Sequence, residues 1–166
     1  MLARVEAQAG DVDSFARAVV RALNDYVPSE LTTLSVCDLL TGHLHFFEHP
    51  LVRHHGIEGG LQTRRISDLM SRRDFQRSAL YGDYYRRIGL EYAIAMPLLK
   101  DCRTLVSVVL NRRGLDFNER ERERLDLLRP HFAFLYRLAR RATVPADAAP
   151  LPSVPEPEPP GSARLA

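Results

Sequence analysis

LEYAIAMPLLKDCRTLVSVVLNRRGLDFNERERERLDLLRPHFAFLYR, residues 90–137, contains both kinds of periodicity on which a fold class rests. In its first part, Leu90, Tyr92, Ile94 and Met96 fall on one side of a strand, with Glu91, Ala93 and Ala95 on the other. Lys100-Asp101 supplies a turn, and RTLVSVVLNRR reads as the returning strand. From Asn118 the period changes to that of a helix. Asn118 is placed to cap it, with Glu121 three residues on completing a capping box. The ERERER run that follows is neutral overall and pairs its charges at i,i+3, so it reads as a solvated helix face rather than a basic nucleic-acid reader.

Further along this helix, Leu125, Leu128, Phe132, Leu135 and Ala139 keep a 3-4-3-4 spacing, the seam of a core helix or of a coiled coil. Leu127, Phe134 and Leu138 make a second stripe beside it. Two apolar stripes on one helix favour a homodimer, one stripe packing on the protomer's own sheet and the other on a second copy. The first stripe supplies the candidate dimer residues. Pro130 removes one backbone hydrogen bond and is expected to bend the helix.

Upstream, DSFARAVVRALNDYV is expected as a helix with Asp13 as its cap and Pro28 beyond its end. LTTLSVCDLL reads as a strand with Leu34 and Val36 on one face and Thr33, Ser35 and Cys37 on the other. Thr41-Gly42 turns it into HLHFFEH, a hairpin. From Pro50 to Gly89 the pattern is irregular. Ser71 to Asp74 fits a capping box opening a helix through RRDFQRSALY. The order of elements gives an α+β domain around an antiparallel sheet with a long last helix, over residues 1–142. Residues 143–166 hold seven of the eleven prolines and no aromatic residue, a composition that does not bury enough surface to order itself.

Composition narrows the function classes. At 166 residues, 45% hydrophobic and 27% charged, the chain is long enough for one real core. No apolar run approaches the roughly 20 residues of a membrane span, and the first residues lack a signal-peptide pattern, so a cytoplasmic, non-membrane protein is expected. A net charge of +2 gives no electrostatic case for nucleic acid.

Several constellations invite chemistry. Tyr81, Tyr84, Tyr85, Arg86, Arg87, Glu91 and Tyr92 form the most site-like group. Aromatic walls stack a flat ligand, and Arg86 suits a carboxylate or phosphate. His43, His45, His49, His54 and His55 are dense in imidazole but lack metal-ligand spacing, so no metal is assigned. Arg64, Arg65, Arg72, Arg73 and Arg77 read as a solvated basic face. Cys37 and Cys102 form no CxxC pair and sit in strand-like apolar runs, which suits reduced core thiols better than a redox nucleophile. No nucleophile elbow, P-loop, dinucleotide fingerprint or metalloprotease helix is present, so no catalytic residue, cofactor or enzymatic activity is expected.

HPLVRHHGIEGGLQTRRISDLMSRRDFQRSALYGDYYRRIGLEY, His49–Tyr92, resembles the GAF-like sensory domain that precedes the helix-turn-helix of many LuxR-type regulators, and Asn111–Ala139 resembles the end of that domain. The resemblance implies a GAF/PAS-like sheet with helices on one side, a small pocket under the insert on the other, a role in sensing, and output through dimerisation. In that family the last helix runs into a DNA-binding module. Here a proline-rich stretch follows Arg141, so DNA binding by these residues is not expected. A full-length LuxR-type regulator is then an expected partner, alongside an unidentified small molecule.

Overall fold

The structure, a computed structural model, describes residues 1–40, 43–46, 50–53 and 61–143, with 43–46 and 50–53 described by their backbone. Two helices open the chain, α1 (Leu2–Glu6) and α2 (Val12–Tyr26). Asp11, not Asp13, caps α2. Its backbone is extended and its carboxylate accepts the Ser14 N–H at 2.8 Å. Asp13 already lies in the first turn, where its charge suits the positive helix end.

Strands β1 (Leu31–Asp38), β2 (His43–Phe46), β3 (Pro50–Arg53), β4 (Arg64–Arg65), β5 (Tyr92–Lys100) and β6 (Thr104–Arg112) form one sheet in the order β3-β2-β1-β6-β5-β4. Every neighbouring pair is antiparallel. The expected hairpin of β1 and β2 is present; β3 and β4 lie in the stretch whose sequence has no strand-like alternation. The β5–β6 turn is longer than the two residues expected. The Asp101 carboxylate accepts the N–H groups of Arg103 and Thr104, at 2.9 and 2.6 Å, and so replaces backbone partners in the loop. Pro97 sits within β5 beside a register shift between Pro97 and Leu99, beyond the short ladder with β4, where its missing N–H leaves no bond unmade.

Helix α5 (Glu119–Thr143) lies across this sheet. The expected capping box forms: Asn118 Oδ1 accepts the Glu121 N–H at 3.0 Å, and Glu121 Oε2 accepts the Asn118 N–H at 2.8 Å. Pro130 is on the exposed side of an unbroken helix. Thr143, placed by its sequence at the start of the tail, closes the helix. Its hydroxyl donates to the Ala139 carbonyl and accepts the Val12 N–H, tying α5 to α2. The remainder of the proline-rich stretch lies outside the described residues.

The two faces of the sheet are unlike. On one, Leu34, Ile94, Met96, Leu98, Val106, Val108 and Leu110 pack under α2 and α5 with Phe15, Leu23, Leu125 and Phe132. The Phe15 and Tyr136 rings join α2 to α5 at 5.8 Å. On the other, a smaller cluster of Phe75, Tyr85, Leu90 and Ala93 holds an insert built from a 3₁₀ turn (Ile66–Asp68), α3 (Arg72–Arg77), a π-helical turn (Tyr81–Tyr85) and α4 (Arg86–Ile88). Ser71 caps α3 as its sequence suggests, but the helix does not run on to Tyr81. Ser78 turns extended there. Its hydroxyl donates to the Phe75 carbonyl at 2.6 Å and accepts the Tyr81 N–H at 3.2 Å, stopping one helix and starting the next. Gly89 ends the insert in the left-handed region (φ +67°), returning the chain to β5.

Candidate ligand-binding face

The site is built by strand register. Directly opposed residues of antiparallel strands share a face, so one row across the sheet runs Arg64–Ala95–Val109–Thr33 from β4 to β1. The adjoining rows are Ala93–Asn111–Leu31 and Pro97–Ser107–Ser35. All of these alternate with the residues that pack under α2 and α5, and so lie on the insert side.

This face is unusually polar for the middle of a sheet. Thr33, Ser35, Ser107 and Asn111 are all buried. Ser35 Oγ donates to the Ser107 carbonyl, and Asn111 Nδ2 to the Leu31 carbonyl. Thr33 Oγ1 and Asn111 Oδ1, on residues 6% and 1% exposed, have no hydrogen-bond partner among the described residues. Ala95 and Val109, at the centre of the same row, are only half-buried, whereas Ile94, Met96, Val108 and Leu110 behind them are completely enclosed. A polar, incompletely filled face beside an inserted segment suits a small-molecule site. Orphaned buried acceptors and hydroxyls are costly unless something pairs with them.

The sequence-derived pocket residues divide. Tyr81, Tyr84 and Tyr85 come together around Phe75: the Tyr81 and Tyr85 rings meet Phe75 edge-on at 5.3 and 5.1 Å, and Tyr84 meets Tyr85 at 5.1 Å. Burial, reinforced by Tyr84, pushes the Tyr85 phenol well above its ordinary range, and burial raises Tyr84 too, so both remain neutral hydroxyls. Tyr85 is thus a wall of the insert's own core. Arg86 is exposed. Glu91 and Tyr92 are drawn off by Arg72, which forms an ion pair with Glu91 and stands 5.7 Å from the Tyr92 ring centroid.

The arginine patch is not one surface. Arg65 bonds both Asp68 oxygens and the Phe117 carbonyl (3.0 Å), with Glu119 3.3 Å away, all on the α5 side. Arg64, the next residue along β4, shares the face of Ala95, and its Nε is buried without a partner. Thr33 and Asn111 are the residues that sequence reasoning missed, and Arg64 is one that it read as part of a solvated face. Only strand pairing brings them onto one face.

The stripe offered for a dimer is committed elsewhere. Leu125, Phe132, Leu135 and Ala139 are buried in the protomer's own core, and Leu128 packs against it partly buried. The second stripe is the open one, with Leu127 74%, Phe134 57% and Leu138 42% exposed. Cys37 is buried, and that burial, with Asp38 alongside, raises its thiol. Cys102 is exposed in the β5–β6 turn rather than within a strand. The side chains of His43, His45, His49, His54 and His55 lie outside the described residues; among the described residues no group of His, Cys, Asp and Glu is arranged to hold a metal.

The sequence matches no protein-family model and no curated protein. The fold has likenesses among solved structures. The VqsR LBD domain from Pseudomonas aeruginosa aligns with a TM-score of 0.59 at 14% identity, over 81% of this chain and 91% of that one. A methyl-accepting chemotaxis protein, residues 122 to 287, aligns at 0.54 and 15% identity, over 81% and 93%. The GAF domain of a phosphoenolpyruvate-protein phosphotransferase from Coxiella burnetii aligns at 0.52 and 14%, over 84% and 95%. The fold is α+β and GAF-like: an antiparallel sheet, flanking helices and a long last helix. No helix among the described residues is long and apolar enough to cross a membrane.

Proposed function

We propose that this chain is a non-enzymatic sensory module that takes a small molecule between the insert and the sheet, and that signals as a homodimer through α5. The observation that carries the reading is the pair of buried orphan atoms, Thr33 Oγ1 and Asn111 Oδ1, on the half-filled face beside the insert. The GAF-like fold and the resemblance of His49–Tyr92 to the sensor part of LuxR-type regulators support it.

Transmission follows from the alternation of β5 and β6. Ala95 and Val109 face the ligand, while Ile94, Met96 and Val108 on the same strands carry α5. A ligand that favours one placement of the insert biases one placement of these strands, and with them the helix. The open stripe Leu127, Phe134 and Leu138 is where a second copy meets α5. The same stripe favours a second reading, a ligand-free subunit that pairs with a full-length LuxR-type regulator.

Hydrogen exchange separates the two. Adding the small-molecule fraction of the host's cell extract is expected to slow exchange across residues 72–90 and in β1 and β6. Protection absent from the insert and sheet, with slowing confined to α5 on adding a LuxR-type regulator, favours the ligand-free subunit.

A further inference from the structure

We propose that the molecule sensed is a small organic acid whose carboxylate is held by Arg64; this rests on the ligand face argued above and assigns its chemistry. Arg64 stands on that face by register, opposite Ala95, whereas Arg65 turns to α5. Several arginines nearby answer to carboxylates: Arg65 to Asp68, Arg72 to Glu91, Arg112 to Glu121, and Arg122 to Glu119, while Arg73, Arg77, Arg86 and Arg87 of the insert are exposed to solvent. Arg64 has no such partner among the described residues, and its Nε is shut off from water with nothing to donate to. A guanidinium left in this state is stabilised by an anion that accepts two parallel N–H bonds.

The rest of this row, with Asn111 of the adjoining one, specifies the remainder of the ligand. Ala95 and Val109 offer an apolar floor next to Arg64. Asn111 Oδ1 can only accept, so it asks for a donor on the ligand, and the Thr33 hydroxyl serves either role. Three strand spacings separate β4 from β1, ~14 Å in all. Two side chains and a single-ring body fill that span. One guanidinium neutralises a monoanion, whereas a phosphate dianion would leave a charge on an apolar floor. A carboxylate at one end, a ring or short chain, and a hydroxyl or amino group at the other meets every one of these demands.

The test uses matched pairs on the whole chain: benzoate with benzamide, and 4-hydroxybenzoate with 4-hydroxybenzamide, followed by calorimetric titration. Each acid is expected to bind on the order of tenfold or more tightly than its amide, the scale of a charge-assisted hydrogen bond. Arg64→Gln abolishes the preference, Arg64→Lys keeps part of it, and Arg73→Gln on the exposed side of α3 leaves it unchanged. Should Arg64→Gln fail to fold, the lysine variant and the acid–amide ratio of the unaltered protein still decide the matter. Equal binding of acid and amide, an undiminished preference in Arg64→Lys, or no binding by either acid overturns the assignment. A neutral molecule retained by the purified protein overturns it too, while leaving the sensory reading standing.

Discussion

Arg112 and Glu121 form a two-bonded ion pair, at 3.1 and 2.7 Å, that fastens the last residue of β6 to the first turn of α5. Arg112 also donates to the Pro28 carbonyl at 2.8 Å and lies over the Phe117 ring at 4.1 Å, so one side chain joins the α2–β1 connection, the end of β6 and the long helix. Both partners are largely enclosed, at 14% side-chain exposure. Burial pushes the Glu121 carboxyl up. The bonds from Arg112 and the Asn118 N–H, with the Arg112 and Arg124 charges, outweigh it and hold the carboxyl below its usual range.

A group depressed in the folded state stabilises the fold above its unfolded pKa, about 4.3 for a glutamate, and that contribution is lost as pH falls through the folded value. Glu121→Gln is therefore expected to cost ~2 kcal/mol at neutral pH, by leaving charged donors on Arg112 partly unmet. The penalty shrinks towards pH 3. Denaturant melts of both proteins across pH 3–7 check this; a pH-independent difference contradicts it.

The two stripes of α5 make opposite predictions. Phe132 is enclosed by the core, and Phe132→Ala is expected to lose about 3–5 kcal/mol. Leu128→Glu with Leu135→Glu places charge against that core and unfolds the domain. Phe134→Glu with Leu138→Glu, on the open side, leaves circular dichroism intact and halves the mass seen by light scattering. Unaltered mass from that folded variant removes the proposed seam.

Gly89 sits at φ +67°, where an L side chain is strained, although a Cβ would meet only the Arg113 guanidinium at 3.6 Å. Gly89→Ala is thus expected to destabilise by ~1 kcal/mol through the backbone alone. Its effect on the melting midpoint should equal that of Gly89→Ser; a larger loss for the bulkier residue would point to crowding instead.

The thiols should behave as their surroundings dictate. Cys102, exposed in the β5–β6 turn, is expected to alkylate in the folded protein, while Cys37 reacts slowly until the protein unfolds. Rapid labelling of Cys37 in folded protein would revive the redox reading.

Legibility tracked how locally each feature is determined. β1, β5 and β6 alternate, α5 carries its own capping box, and Ser71 announces α3. Their period and caps are properties of neighbouring residues. β4 was not legible, because Arg64–Arg65 is a strand only by virtue of pairing with Ala95 and Ile94. That pairing sends the two arginines to opposite faces, which their adjacency in a basic run conceals. The two stripes of α5 share a spacing, and only the sheet beneath selects which one is buried. The aromatic insert was recognisable from its tyrosines, yet its centre is Phe75, and its helix breaks at Ser78 through a side-chain bond no period records. Thr33 and Asn111 are distant in sequence and ordinary in type; their significance lies in sharing a face without partners.

The central claim, a small molecule held on that face, is tested most directly by native mass spectrometry of the protein purified from its own host, beside an Ala95→Phe variant that fills the row between Arg64 and Val109. The account predicts a dimer carrying a defined extra mass, absent from the folded variant. Unaltered protein that is empty under conditions preserving the dimer, or a variant that retains the same mass, would contradict it.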